Sequence, residues 1–176
     1  MTAVRLAVPT AVLATASYAV WREWRAHAGR QAELPEPQWL DGWVTSAGPT
    51  IDGTYISTTT RGRWLDRVIA PGLGTLSRAS VATESDSAPD AERGPLPPLL
   101  ILRRSARGFK IPAEDLLGAR CERGIGAMVR RRNGIIVIRW RLGDHELHTG
   151  FRPYLAAEGR DIEQKIEFLR VRAHHA

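Results

Sequence analysis

The sequence predicts a mainly β fold: a barrel or sandwich of about seven strands, capped by a C-terminal α-helix and preceded by one N-terminal helix. Three observations predict it. From residue 51 to residue 153, short β-branched or apolar runs alternate with turns rich in Gly, Pro and Asn. Beyond Pro153 the apolar spacing changes from a period of two to one of 3.6. Near the start, Leu6 to Trp21 is a run of sixteen residues without a charge.

The N-terminal run comes first. At about 1.5 Å per residue it gives about 24 Å of helix, a little short of a hydrocarbon core of roughly 30 Å. Arg5 and Arg22 extend the reach by snorkelling. A secretory signal peptide is the competing reading, with Arg5 as its basic end and Ala14-Thr15-Ala16 as a small-x-small cleavage site. Arg22, Arg25 and Arg30 oppose export and favour retention on the cytoplasmic side. Tyr18, Trp21 and Trp24 fall where an interfacial aromatic belt lies. Residues 1–25 therefore read as a single-pass membrane anchor, with Trp21, Arg22, Trp24 and Arg25 at the interface and the rest of the chain cytoplasmic. A soluble or surface amphipathic helix is the remaining alternative.

Residues 26–50 read as a linker. Pro35, Pro37, Gly42, Gly48 and Pro49 make it irregular. Trp39, Leu40 and Trp43 interrupt its polarity and are expected to pack back on the domain that spans 51–176.

Asp52-Gly53 is a turn signal, and Tyr55–Thr60 follows as a strand. Gly62–Ile69 reads as a short helical turn, and Ser77–Thr83 as the next strand. Residues 84–98 hold Ser, Asp, Glu, Pro and Ala without apolar periodicity and read as a mobile acidic loop. Leu99–Arg104 is a strongly apolar strand; Phe109–Ile111 is another, ended by Pro112. A turn over Ala113–Leu117 leads to a strand over Ala119–Arg123. Asn133-Gly134 is the strongest hairpin signal in the chain. In the strand Ile135–Leu142, Ile136, Ile138 and Trp140 share one face, and Val137, Arg139 and Arg141 the other. Gly143-Asp144 turns the chain into Glu146–Phe151. In the terminal helix Leu155, Ile162, Ile166, Leu169 and Ala173 form one stripe, suited to covering an open barrel end. Asp161 and Glu163 near its start and Arg170 and Arg172 near its end suit the helix dipole. Seven strands and a terminal helix describe a pleckstrin-homology (PH)-like barrel better than a five-stranded oligonucleotide-binding barrel.

Particular residues carry a family resemblance. The run Tyr55-Ile56-Ser57-Thr58-Thr59, then Gly62-x-Trp64-Leu65-Asp66-Arg67-Val68 and Gly72-Leu73-Gly74, resembles an actinobacterial family of small membrane-anchored PH-like proteins. Phe109-x-Ile111-Pro112, Arg123-Gly124-Ile125-Gly126, Ile136–Trp140 and Thr149-Gly150-Phe151-Arg152 are similar to later parts of that family. The resemblance covers roughly residues 50 to 170. It implies a PH-like fold and a membrane anchor. Members are often encoded beside pyrimidine-biosynthesis genes and loosely labelled membrane, export or transport proteins. It implies no catalytic residues.

Composition bounds the function. Hydrophobic content of 43% and charged content of 25% are those of a folded domain. The net charge of +6 favours an anionic partner. Only Lys110 and Lys165 of the 25 basic residues are lysine, a bias that a GC-rich genome gives without selection for binding. Cys121 is the single cysteine, so no intramolecular disulfide and no cysteine-based metal site can form. His145, Glu146 and His148 have poor metal spacing on a strand. The hydroxyls Ser57 to Thr60 and Ser105 lack a positioned His and Asp. Neither catalytic residues, metal nor cofactor are expected.

The basic residues are the positive signal. Arg103, Arg104, Arg107 and Lys110 surround one predicted hairpin, and Arg130, Arg131 and Arg132 precede another. Lipid-binding PH domains gather basic residues round one loop at the barrel mouth. Arg61, Arg63 and Arg67 complete the candidates for contact with a partner or headgroup. The expected function is a non-catalytic, membrane-tethered interaction module that docks an unidentified protein partner, with anionic lipid as a secondary contact. An accessory role in transport or export is the alternative, since one span cannot itself form a pathway. A nucleic-acid-binding β domain ranks third, because few aromatics accompany the arginines.

Overall fold

The computed structural model describes residues 18, 34–40, 48–60, 67–69, 77–83, 96–104, 106–122 and 134–175, with backbone alone for 67–69. The chain divides into two units, Met1–Leu34 and Pro35–Ala176, and the described elements belong to the second. In order these are β1 (Gln38–Trp39), β2 (Ile51–Thr60), β3 (Arg67–Ile69), β4 (Ser77–Thr83), β5 (Leu99–Arg103), β6 (Phe109–Ile111), a 3₁₀ turn (Ala113–Asp115), β7 (Leu116–Glu122), β8 (Ile135–Leu142), β9 (His145–Pro153) and α1 (Glu158–His175). Of the predicted anchor only Tyr18 is described, and it is exposed. Among the described residues no helix is long and apolar enough to cross a membrane.

Among the described residues nine strands form one antiparallel sheet, in the order β1-β6-β5-β4-β2-β9-β8-β7, with β3 on β2 beside this path. The expected count was about seven. β1 and β7 end the path and do not pair with each other, so the sheet is not closed. One face of β2, β4, β5, β6, β8 and β9 meets Ile162, Ile166 and Leu169 of α1 in a single core. Burying each large apolar side chain there contributes about 1.5–3 kcal/mol.

β2 organises the sheet because it pairs with β4, β9 and β3. Its turn signal is misleading: Asp52 and Gly53 lie inside the strand. At Gly53 a Cβ would stand 2.3 Å from the Arg152 carbonyl oxygen and 2.5 Å from Phe151 Cζ. The glycine permits close approach of β9 rather than a turn. Further along, Tyr55 pairs with Phe151 but Ser57 with Gly150, so Ile56 is an extra residue on β2. This bulge turns both Tyr55 and Thr58 inward, although residues three apart in a regular strand face opposite sides.

The bulge permits a buried polar chain. Tyr55 OH donates to Thr58 Oγ1 at 2.9 Å. The Thr58 and Thr149 hydroxyls share a hydrogen bond at 2.8 Å. Trp140 Nε1 donates to Thr149 Oγ1 at 2.9 Å. The same two aromatics are joined through Phe109, which stacks on Trp140 at 5.8 Å and meets Tyr55 edge-on at 6.4 Å. The hydroxyls of the Ser57–Thr60 run are thus partly consumed in satisfying the core.

Other expectations change. Arg67–Ile69 is a strand opposite Thr59 and Thr58, not part of a helical turn, in keeping with β-branched Val68 and Ile69. Gln38–Trp39, read as linker, pairs with Lys110 and Phe109, and Leu40 N–H donates to the Gly108 carbonyl at 2.9 Å. Leu40 joins Ala82, Leu100 and Leu102 in a second cluster. β5 is therefore buried throughout, which explains its unbroken apolar run from Leu99 to Leu102. A 3₁₀ turn replaces the expected turn after Pro112, and β7 begins at Leu116. Glu122 pairs with Ile135, so residues 123–134 connect the paired ends of β7 and β8, and Asn133 of the predicted hairpin signal lies outside the described residues. Gly143 does turn a tight hairpin, with φ of 58° between the paired residues Leu142 and His145. Leu155 precedes α1 and is exposed rather than on its buried stripe. Residues 84–95 of the acidic loop lie outside the described residues, and Leu96 beyond them packs on the core.

Candidate functional site

The β5–β6 hairpin collects the basic residues. Its strands are held by Leu99 opposite Ile111 and Ile101 opposite Phe109. The connection carries Arg104 and Arg107 into solvent. The guanidinium of Arg107 lies over the Trp39 ring, 5.4 Å from its centre, so β1 supports the turn.

Two clefts flank this connection. The first, of about 290 Å³, is lined by Leu40, Leu102, Arg103, Arg104, Ala106, Arg107 and Gly108. The second, of about 330 Å³, is lined by Asp52, Arg78, Ala79, Ser80, Arg104 and Tyr154. Arg104 borders both, and its backbone N–H donates to the Arg78 carbonyl at 3.0 Å. That bond fixes the end of β5 against β4. Ser80 donates to Asp52 Oδ1, so the one carboxylate of the second cleft has a partner on the neighbouring strand.

Arg103 differs from its neighbours. Alternation along β5 puts it on the core face with Leu99 and Ile101, and only 8% of it is exposed. Its guanidinium carbon lies 4.5 Å from the centre of the Tyr55 ring. Burial pushes its pKa below the ordinary arginine range, with the Tyr55 phenol acting in the opposite direction. Arginine nevertheless stays protonated in water, so the shift expresses the cost of desolvating a fixed charge.

The structure thus brings Arg103, Arg104 and Arg107 to one cleft. Lys110 is half-buried opposite Leu100 and Gln38, outside both clefts. The backbone of Arg67 lies in β3. Arg61, Arg63, Arg130, Arg131 and Arg132 lie outside the described residues, as do Trp21, Arg22, Trp24 and Arg25. Arg78 is an addition: in sequence it is only an exposed charge on β4, and its nearness to Arg104 depends on long-range pairing.

Elsewhere Glu146 Oε1 accepts from Arg139 Nε at 2.9 Å and contacts His148 Nε2 at 3.1 Å. Among the described residues no three or more His, Cys, Asp or Glu side chains form a group able to hold a metal ion. What the arginine-lined clefts can do chemically is bind an anion: guanidinium groups offer paired N–H donors that match carboxylate or phosphate oxygens.

A family model described as bacterial PH domain-like matches residues 33–167. No curated protein and no solved structure matches the chain.

Proposed function

This chain belongs to the bacterial PH domain-like family, and from that membership we propose that it works as a non-catalytic interaction module that docks an acidic protein surface. One observation carries the reading: two adjoining clefts share Arg104 and add Arg78, Arg103 and Arg107. The first cleft also has apolar lining from Leu40 and Leu102, which suits a protein segment better than a bare ion. The N-terminal run serves as a tether to the cytoplasmic face of a membrane, where anionic lipid makes a secondary contact. Near such a leaflet each exposed arginine contributes about 1 kcal/mol.

The test is capture of a partner by the tagged full chain from detergent-solubilised membranes, followed by elution with salt. Retention of a defined acidic protein at low salt and its release at high salt supports the reading. Absence of any retained protein removes it. Fractionation of cells tests the tether separately: recovery of the chain entirely in the soluble fraction at low salt sinks that part.

A further inference from the structure

Neighbouring strands carry two rows of side chains on the sheet face turned away from the main core. Tyr55 and Ala79 face that core, so alternation sets Asp52, Thr54, Arg78 and Ser80 on the other side. Arg78 lies opposite Thr54, which in turn lies opposite Arg152. The bond from Arg104 N–H to the Arg78 carbonyl puts Arg104 at the end of the same row. In the next row Ser80 lies opposite Asp52, and Tyr154 N–H donates to the Asp52 carbonyl at 3.1 Å. One row is therefore cationic, and the other holds a carboxylate. Arg78 and Asp52 are diagonal neighbours, a relation that spans about 7–8 Å.

Both rows border the second cleft, which Arg78, Arg104, Asp52, Ser80 and Tyr154 line. Arg78, Arg104 and Asp52 are exposed, and among the described residues none of them forms an ion pair, with each other or with another side chain. Ser80 holds Asp52 Oδ1 within its own row, which leaves Oδ2 to accept from outside. A cleft of arginine alone selects negative charge without further pattern. Here the carboxylate opposes a second negative group on the Asp52 row and favours a positive one. Tyr154, half exposed beside Asp52, adds an aromatic surface suited to an ammonium group.

We infer that the second cleft recognises a dipolar pair of side chains on an extended segment of a partner protein: a carboxylate at Arg78 and Arg104, and a lysine ammonium two residues away at Asp52 and Tyr154. This rests on the interaction-module reading and names the charge pattern that the module selects. In an extended segment residues i and i+2 point to one side, about 6.5–7 Å apart, which matches the spacing of the two rows. An acid and a lysine next to each other in sequence point to opposite sides and cannot fill both rows. A nucleic-acid backbone brings phosphates for the arginines and no cation for Asp52. A phosphatidylethanolamine headgroup carries both charges, but its short ethanolamine link falls short of the row spacing.

The experiment follows the backbone amides of β2 and β4 in the ¹⁵N-labelled full chain in a non-ionic detergent. The probes are acetylated and amidated heptapeptides centred on Glu-Thr-Lys, Glu-Thr-Glu or Lys-Thr-Lys, together with glycerophosphoethanolamine as the soluble lipid headgroup. Glu-Thr-Lys is expected to shift the Asp52, Arg78 and Ser80 amides saturably and to bind about threefold or more tighter than either other peptide. Arg78→Ala is expected to weaken both acid-bearing peptides about fivefold. Asp52→Asn keeps an acceptor for Ser80, so Tm is expected to stay in place. This variant is expected to weaken Glu-Thr-Lys about threefold and to strengthen Glu-Thr-Glu, which reverses the preference.

Equal binding of Glu-Thr-Lys and Glu-Thr-Glu to the unaltered chain overturns the dipolar pattern. So does an Asp52→Asn chain that loses both peptides alike. Tighter binding of glycerophosphoethanolamine than of Glu-Thr-Lys overturns the assignment to a protein segment. Amides that stay in place with every probe overturn the site. If partner capture by the full chain persists through Asp52→Asn and Arg78→Ala, this cleft alone is rejected and the interaction-module reading stands.

Discussion

Thr58 and Thr149 hold their hydroxyl oxygens 2.8 Å apart in the core, although 91 residues separate them in the chain. Each is also tied to an aromatic: Thr58 accepts from Tyr55 and Thr149 accepts from Trp140. Thr149→Val keeps the shape of the side chain but removes the acceptor for the buried indole N–H. The expected loss is about 1–3 kcal/mol, read from urea unfolding. In Trp140→Phe the donor is absent, so the cost of Thr149→Val falls, and the double-mutant cycle shows coupling between the two. Strict additivity would mean that the indole finds another acceptor.

Gly53→Ala tests the close approach of β2 and β9. The new methyl would collide with backbone at Arg152 and with the ring of Phe151. Because the Arg152 oxygen belongs to a paired strand, it cannot move aside cheaply. A loss of about 3 kcal/mol is expected in the same unfolding assay. A neutral result would show that the two strands separate without penalty.

Asp115 gives a pH dependence of definite sign. Burial raises its pKa, Glu114 adds to the rise, and Arg141 acts against it. A carboxyl whose folded pKa exceeds its unfolded value holds its proton more tightly in the native state. Its stabilising effect is full below the ordinary Asp range, near about pH 4, and is lost as pH rises through the folded value. Asp115→Asn is therefore expected to raise Tm at neutral pH and to leave it nearly unchanged at about pH 3. An equal shift at both values would deny the link to ionisation.

The two faces of α1 should respond differently to truncation. Leu169 is buried at 3% exposure, whereas Phe168 beside it is 58% exposed. Leu169→Ala is expected to cost about 2–4 kcal/mol. Phe168→Ala, which loses mainly an exposed contact with Arg172, is expected to stay within about 0.5 kcal/mol. Chemical denaturation of both variants decides the matter.

Arg104 is the best residue for separating binding from stability, because it borders both clefts and is exposed. Arg104→Ala is expected to weaken capture of an acidic partner about fivefold with little change in Tm. Arg120, paired with Glu122 on β7 and lining neither cleft, is the control. Equal losses from Arg104→Ala and Arg120→Ala would reduce the effect to net charge.

Strand periodicity made much of this fold legible. Ser77–Thr83 and Phe109–Ile111 occupy the predicted residues, and Ile136, Ile138 and Trp140 face the core together. These elements carry their burial pattern locally. Gln38–Trp39 does not: two residues beyond a proline have no periodicity, and only the distant edge of β6 makes them a strand. The inward turn of Thr58 depends on a bulge that exists only against β9. Arg103 was readable, since alternation with Leu99 and Ile101 directs it inward. Its charge instead grouped it with Arg104 and Arg107, where the physics of burial separates it from them. Arg78 needed β4–β5 register to stand beside Arg104.

The pairing of β2 with β9 has a consequence in time. During synthesis from the N-terminus, Thr58 emerges long before its hydrogen-bond partner Thr149 exists. The meander β4–β5–β6 has local partners and can form early, while β2 keeps one edge unpaired until residues 147 to 153 arrive. Closing so long a loop precedes the gain from the contacts it makes. This places the domain among slow-folding β topologies, on the order of milliseconds to seconds, with assembly of the Tyr55–Trp140 core as a late event.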